Sequence, residues 1–169
     1  LVWLLAPVKV MGGSVAAKGG LSTYLATLPS HMFEKAPMGR TFTVGQRAAC
    51  FMYKSLIYGA IGFTMGIIGT SAVRAMATTR ERLDPKYEQP SVEQPILKSG
   101  LAWLPFMGIG SNARYQCLNG IEGLLFQPCV PDSLSKVASV ALRFVNQCSG
   151  GQMWIWWSGH LELTRPRLT

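Results

Sequence analysis

Charged residues are scarce in this chain of 169 residues. They make up 14% of the sequence, against about 25% in ordinary soluble domains, and only eight of them are acidic. Mean hydropathy is positive, and hydrophobic residues account for 49% of the chain. This balance favours an integral membrane protein over the alternative, a soluble domain with unusually apolar helices.

The residue types that perform most catalysis and metal binding are also few. The two histidines, His31 and His160, stand alone, and the four cysteines include no CxxC pair. No spacing matches a Ser/His/Asp or Cys/His catalytic set, and no phosphate-binding loop is present. We therefore predict a non-enzymatic protein with no catalytic residue and no metal site.

Positive charge is not concentrated in one block. The net charge of +8 comes from lysines and arginines that are spread along the chain and flank apolar runs. A nucleic-acid-binding surface would cluster its cations with stacking aromatic residues. We therefore expect no nucleic acid as a partner and predict contacts with lipid headgroups instead. The same scatter leaves the membrane orientation undecided by the positive-inside rule.

The most informative feature that is present is a run of nineteen uncharged residues, 55–73. As a helix it would be about 28 Å long, close to the hydrocarbon thickness of a bilayer. Its glycines follow a 3-4-3 spacing that places them on one helical face, where another helix or a flat ligand can approach the backbone. We predict that this face packs against a later span of the chain or binds a partner helix, pigment or lipid. Its residues are Gly59, Gly62, Gly66 and Gly69.

Apolar segments recur along the rest of the chain, and they predict an all-α fold: an integral membrane helical bundle with about three to four transmembrane helices. We treat 1–169 as a single domain. The segment 80–95 holds four of the eight acidic residues and three prolines, so it is predicted to be a hydrophilic loop. The predicted spans are a partial one at 1–11 and full ones at 47–76, 97–125 and 137–159.

Local signals place one helix start. Thr43 is a candidate N-cap, and Gln46 occupies the capping-box position, so a helix is predicted over 44–78. Arg47 and Lys54 are expected to extend their charged groups to the membrane surface at one end of this helix. The preceding residues are predicted to form a surface connection with one short interfacial helix.

Proline and tryptophan mark the later spans. Pro105 predicts a kink in the span 97–125, because a neighbouring group can satisfy the carbonyl that proline leaves without a donor. Trp154, Trp156 and Trp157 gather near the end of the last span. Clustered tryptophans are typical of the aromatic belt at a membrane interface.

Polar residues within the later spans form the second candidate site. Ionisable groups at membrane depth are costly, and they tend to be paired or functional. A salt bridge from Glu122 to Arg143 or to Arg114 would neutralise charge and hold two helices in register. Polar packing, solute binding and headgroup contact all remain open. The predicted intramembrane polar cluster contains Asn112, Arg114, Gln116, Asn119, Glu122, Arg143 and Asn146.

No cofactor is required by these patterns. Bound lipid, chlorophyll or carotenoid are candidate ligands, since Glu, Asn, Gln and His side chains can ligate the magnesium of a chlorophyll. The candidate magnesium ligands are Glu122, Asn119, Asn146, Gln147 and His160. However, NGIEG at 119–123 does not match the paired Glu–Arg helix pattern of light-harvesting proteins.

Several stretches together resemble the plant RETICULATA-related family of plastid membrane proteins. The likeness runs through the whole chain and is specific in GQR, SN-x-RYQ-x-LNG-x-E and LR-x-VN. It implies the C-terminal membrane domain of such a protein, with an N-terminal transit region removed or not included, and a location chiefly in the plastid inner envelope, with the thylakoid as the alternative for a divergent member. The loop 127–136 and the residues after Gly159 look divergent. The resembling stretches are 1–7, 43–73, 111–125 and 140–151.

The resemblance carries over no catalytic motif and leaves two functions open. The first is an accessory or scaffold subunit of a larger plastid membrane complex, with other membrane protein subunits as partners; a photosynthetic complex is the most natural candidate. The alternative is a small-solute transporter of the plastid envelope for a metabolite or an amino acid. Three spans leave little room for a solute pathway, which favours the first.

Overall fold

The computed structural model describes residues 20–37, 39, 41–84, 86–87, 95–128, 130–161 and 163. Within these ranges the chain forms five α-helices and one π-helical turn, with no strand. The predicted all-α class is thereby confirmed for the described residues, whereas the partial span at 1–11 lies outside them. The helices are α1 (Gly20–Ala26), α2 (Val44–Leu83), α3 (Ile96–Pro105), α4 (Asn112–Leu125) and α5 (Asp132–His160), and the π-helical turn is Phe106–Ser111.

Helix α2 begins with the predicted capping box. The Thr43 amide donates to Gln46 Oε1 over 3.0 Å, and the Gln46 amide donates to Thr43 Oγ1 over 3.2 Å. These two bonds satisfy amide groups that have no partner within the helix. The helix continues to Leu83 rather than ending at residue 78, so the first part of the segment predicted as loop 80–95 is helical. Of the described helices, α2 alone is long and apolar enough to cross a membrane.

The expected break at Pro105 takes the form of a change in helix type. Helix α3 ends at Pro105, the π-helical turn follows at once, and α4 begins at Asn112. Proline has no amide hydrogen, and its ring crowds the preceding turn, so the regular α-helical bonding pattern cannot pass through it. At this point the Phe106 amide donates to the Trp103 carbonyl, three residues back. The chain therefore stays helical from 96 to 125 while its hydrogen-bond pattern changes.

Contacts divide the chain into two compact units. The first unit comprises Leu1–Lys54 and Asn112–Asn146, and the second comprises Ser55–Ser111 and Gln147–Thr169. Helices α2 and α5 each contribute residues to both units. The prediction of one membrane domain over 1–169 remains a prediction.

The distribution of polar side chains is unusual in both units. Asn112 and Gln116 of the first unit and Ser99 of the second are 0%, 2% and 2% exposed. By contrast, Leu56 and Val140 are 73% and 69% exposed. Among the described residues, buried polar side chains are nearly as numerous as buried apolar ones. In a water-soluble domain, buried polar side chains are usually far fewer than buried apolar ones.

Candidate functional site

In the first unit, two amides on α4 form the centre of a hydrogen-bond chain. Gln116 Nε2 donates to Asn112 Oδ1 over 3.2 Å, one helical turn away. Asn112 Nδ2 donates to the Phe51 carbonyl on α2 over 3.0 Å. Gln116 Oε1 accepts the amide of Met32 over 2.7 Å. These side chains thus join α4 both to α2 and to the segment before α2.

That segment, Pro29–Glu34, is a closed turn that we call the 29–34 loop. Ser30 donates to the Glu34 carboxylate from its amide and, over 2.8 Å, from its hydroxyl. The Glu34 amide donates to the His31 carbonyl over 3.0 Å. The loop therefore carries its own set of internal bonds, although the sequence predicts only a surface connection there.

Two cationic side chains of α2 donate hydrogen bonds to backbone carbonyls of this loop. Arg47 donates to the Met32 carbonyl and, over 3.1 Å, to the Glu34 carbonyl. Lys54 donates to the Ser30 carbonyl. Both charged groups thus bind backbone oxygens of the 29–34 loop, and their predicted place at the membrane surface stays a prediction. Carbonyl oxygens carry partial negative charge, so they are good acceptors for a cationic donor.

A second polar set in the first unit joins α4 to α5. Arg143 grips the Glu122 carboxylate with two donors: Nε lies 2.8 Å from Oε1, and Nη2 lies 2.6 Å from Oε2. Ser139, one turn before Arg143, also donates to Oε1. The Glu122 side chain is 11% exposed and that of Arg143 is 31% exposed. Of the two cations considered for Glu122, Arg143 thus forms the ion pair.

Three further residues belong to the predicted polar cluster. Arg114, Asn119 and Asn146 are half-buried. Of the seven predicted residues, two belong to the amide chain and two to the ion pair. Sequence reasoning missed Ser139, whose position four residues before Arg143 on the same helix face was the available signal.

In the second unit, three of the four predicted glycines lie against α3 and the π-helical turn. An ideal Cβ at Gly62 would come within 2.7 Å of Met107 Cβ and of the Trp103 carbonyl oxygen, and one at Gly66 would come within 2.7 Å of Trp103 Cδ1. At Gly59 the nearest atom would be the Leu104 carbonyl oxygen at 3.3 Å. Real Cβ atoms essentially never come within 3.0 Å of another atom, so these contacts require glycine at positions 62 and 66.

Glycines of α3 and of the π-helical turn contact this face of α2. They were not predicted from the sequence. A Cβ at Gly100 would lie 2.8 Å from Ile67 Cγ1, and one at Gly108 would lie 2.8 Å from the Ser55 carbonyl oxygen. Backbone therefore approaches backbone from both sides. The fourth predicted glycine differs, since a Cβ at Gly69 would meet nothing within 4 Å.

Tryptophan rings complete the packing of the second unit. Trp103 stacks on Trp154, with ring centroids 3.8 Å apart and planes inclined by 21°. Phe106 makes a T-shaped contact with each of these two rings, with centroid distances of 5.6 Å and 5.1 Å. The Trp157 indole donates to the Ala102 carbonyl over 3.0 Å. In a regular α-helix the Phe106 amide would bond that carbonyl, so Trp157 replaces a donor displaced near Pro105.

The three tryptophans predicted to form an aromatic belt differ in their surroundings, and their place at a membrane interface stays a prediction. Two of them, Trp154 and Trp157, pack onto α3 within the second unit. Only Trp156 is exposed, at 63%, and its ring lies beside His160. No three metal-binding side chains come together anywhere in the described ranges.

Taken together, these contacts define an all-helical protein whose helices meet through glycine, stacked tryptophan and internally bonded polar groups. The profile of the RETICULATA-like family, described as Protein RETICULATA-related, matches residues 1–121. The chain belongs to the RETICULATA-related family.

Curated relatives come from Arabidopsis thaliana. Protein RETICULATA-RELATED 1, chloroplastic, is 37% identical over 165 residues, which cover 94% of this chain and 38% of the relative. Protein RETICULATA-RELATED 2, chloroplastic, is 34% identical over 155 residues, which cover 92% and 44%. Protein RETICULATA, chloroplastic, is 32% identical over 165 residues, which cover 94% and 38%. The chain thus spans less than half the length of these relatives. No solved structure matches it.

Proposed function

We propose that this chain is an integral plastid membrane protein and a non-enzymatic accessory or scaffold subunit of a larger membrane complex. The observation that carries the membrane part is the distribution of side chains, with amides and hydroxyls inside and large apolar groups outside. In water, so much exposed apolar surface would favour aggregation. In a bilayer the same surface contacts lipid, and polar groups are stable only where the protein itself bonds them.

Helix dimensions support more than one crossing. Helix α2 has 40 residues and α5 has 29, which correspond to about 60 Å and 44 Å. The helical stretch 96–125 would be about 45 Å long. Each exceeds the bilayer core of about 30 Å. Only 22% of the most apolar stretch of α2 is buried within the chain, as expected for a helix that faces lipid rather than a protein core. We propose α2 as one span on length and composition, and α5 and the stretch 96–125 as two more on length alone.

The plastid location rests on the relatives, whose names call them chloroplastic. Within the plastid we propose the inner envelope or the thylakoid. Fractionation of plastids into envelope and thylakoid membranes, followed by alkaline carbonate extraction, tests this placement. Recovery in the soluble stroma or in the carbonate supernatant would contradict it.

The scaffold role is supported by how the polar groups are bonded. In the first unit Asn112, Gln116, Glu122 and Arg143 all bond to groups of this chain. Side chains used in this way stabilise helix contacts and leave the outward apolar faces for lipid or for neighbouring subunits. Other membrane protein subunits are therefore the proposed partners, and a photosynthetic complex is the most natural candidate.

A transporter is the second candidate, and one observation favours it. The π-helical turn Phe106–Ser111 interrupts a long helix directly before the buried Asn112. Turns of this type are frequent at functional sites. If Glu122 lined a solute path, Glu122→Gln would abolish uptake into reconstituted vesicles while the protein stayed folded. Unchanged uptake in this variant would remove Glu122 from that path.

The scaffold proposal is tested by extraction of plastid membranes with a mild detergent and separation by native electrophoresis. We expect the full-length protein to migrate with a set of other membrane subunits in constant ratio. Recovery of the protein only alone, or only as a homo-oligomer, would contradict the scaffold role without affecting the membrane assignment.

A further inference from the structure

We propose that the 29–34 loop is a pH-sensitive element of the first unit, closed when His31 is neutral and released when His31 takes up a proton. Neither the helix packing nor the scaffold role requires this property. The inference rests on where His31 lies within the loop and on which charges surround it.

His31 stands between the two backbone positions that α2 holds. Lys54 binds the carbonyl of Ser30, and Arg47 binds the carbonyl of Met32. The Met32 amide is in turn bonded to Gln116 of α4. The imidazole is half-buried, and its Nδ1 atom is buried without a hydrogen-bond partner among the described residues. Any change at His31 therefore acts directly on the bonds that close the loop.

The charges around His31 are unbalanced. From α2 it is faced by the cations Arg47 and Lys54, and within its own loop by the carboxylate of Glu34. Helix α4 contributes the neutral amide of Gln116. Cys50, buried on α2, carries a thiol that stays neutral at the pH values where histidine titrates. A protonated His31 would add a third positive charge to a group that has one carboxylate to balance it.

The direction of the effect follows from linkage between protonation and loop opening. Burial is the largest cause and lowers the pKa of His31 below its ordinary value of 6.5; Glu34, the next largest, raises this pKa, and Lys54 and Arg47 lower it again. A lowered pKa means that the open loop binds a proton more readily than the closed loop does. Closure is therefore fully favoured above pH 6.5 and is progressively lost as the pH falls below that value.

Hydrogen exchange of the full-length protein in lipid nanodiscs measures this opening directly. The amides of Met32 and Glu34 are protected when the loop is closed, because their acceptors are Gln116 Oε1 and the His31 carbonyl. After correction for intrinsic exchange, we expect protection of these amides to fall between pH 7.5 and pH 5.5, by at most about tenfold, the limit set by the ordinary histidine pKa of 6.5 in the open loop. The amides in the middle of α2 serve as the internal reference and should keep their protection.

The chain offers a matched control, because it contains only two histidines. His31→Gln should abolish the pH dependence, whereas His160→Gln, at an exposed position, should leave it unchanged. If His31→Gln loses protection in α2 as well, His31→Asn provides the second variant. The proposal is overturned if wild-type protection does not change with pH, if the change persists in either His31 variant with α2 intact, or if His160→Gln removes it.

Discussion

Each of the two compact units of this protein is stabilised internally by a different kind of interaction. The first relies on side-chain hydrogen bonds and a charged pair, including the amide chain of Asn112 and Gln116 and the contact of Glu122 with Arg143. The second relies on close approach of backbones at glycine, with stacked tryptophans beside it. Helices with apolar outward faces can thus be joined in two ways: by hydrogen bonds between polar groups, or by glycine at the contact, which lets the backbones approach closely.

This difference has a physical basis. In lipid, burial of apolar surface gives no net driving force between helices, so association depends on packing and on polar contacts. Glycine supplies the packing because it allows many atoms to reach van der Waals distance at once. An amide or a carboxylate supplies a directional bond, but it becomes costly as soon as its partner is lost. The two units should therefore respond differently to the same kind of substitution.

The largest loss of stability is expected when a single methyl group is added at Gly62 in the second unit. At Gly62 a Cβ would lie 2.7 Å from Met107 Cβ and from the Trp103 carbonyl oxygen, so Gly62→Ala forces the helices apart. We expect a loss of about 2 to 3 kcal/mol in the free energy of unfolding, measured by denaturing-detergent titration of the reconstituted protein.

Gly69→Ala is the matched control for that substitution, because it lies on the same predicted face and its Cβ would meet nothing within 4 Å. It should leave stability unchanged or raise it by up to about 1 kcal/mol, since alanine is the better helix former. Equal losses at both positions would show that the glycine contact is not what holds the second unit.

The next largest effect is expected at the ion pair of the first unit. Glu122→Gln and Arg143→Gln should each cost about 2 kcal/mol of unfolding free energy, because each leaves a polar partner without its charge complement. Arg143 is 31% exposed, so the full penalty for a buried ion does not apply. The double variant should cost less than the two single variants together. Strict additivity in this cycle would mean that the pair contributes no coupling between α4 and α5.

The smallest loss of stability is expected when one indole hydrogen bond, that of Trp157, is removed. Trp157→Phe removes the donor to the Ala102 carbonyl while keeping an aromatic ring, and should cost about 1 kcal/mol. Trp156→Phe changes an exposed ring of the same helix and should cost less than about 0.5 kcal/mol. A loss at Trp156 as large as that at Trp157 would contradict the proposed role of the indole at the Pro105 break.

The features that the sequence predicted well are local ones. Thr43 and Gln46 lie three residues apart and fix the start of α2, and Pro105 ends α3 because of its own covalent structure. Glycine spacing identified a face, but only the structure distinguishes Gly62 from Gly69, since that depends on where the opposite helix ends.

The features that the sequence missed depend on residues far apart in the chain. Met32 bonds Gln116 across 84 positions, so no local pattern could show that the 29–34 loop is fixed. The same reason explains why the stacking of Trp154 was not predicted, since its partner Trp103 lies on another helix. The sequence shows that three tryptophans lie close together, and tertiary contacts decide which way their rings face.

Accessibility of the outward apolar positions to oxygen and to a water-soluble nickel chelate tests the membrane assignment most directly. Nitroxide labels at Leu56 on α2 and Val140 on α5, introduced singly into the full-length protein in lipid vesicles, occupy positions that are 73% and 69% exposed. If these faces contact lipid, collisions with oxygen will be frequent and collisions with the nickel chelate rare at both positions. Frequent collisions with the nickel chelate at both would contradict the assignment, because they would place these faces in water.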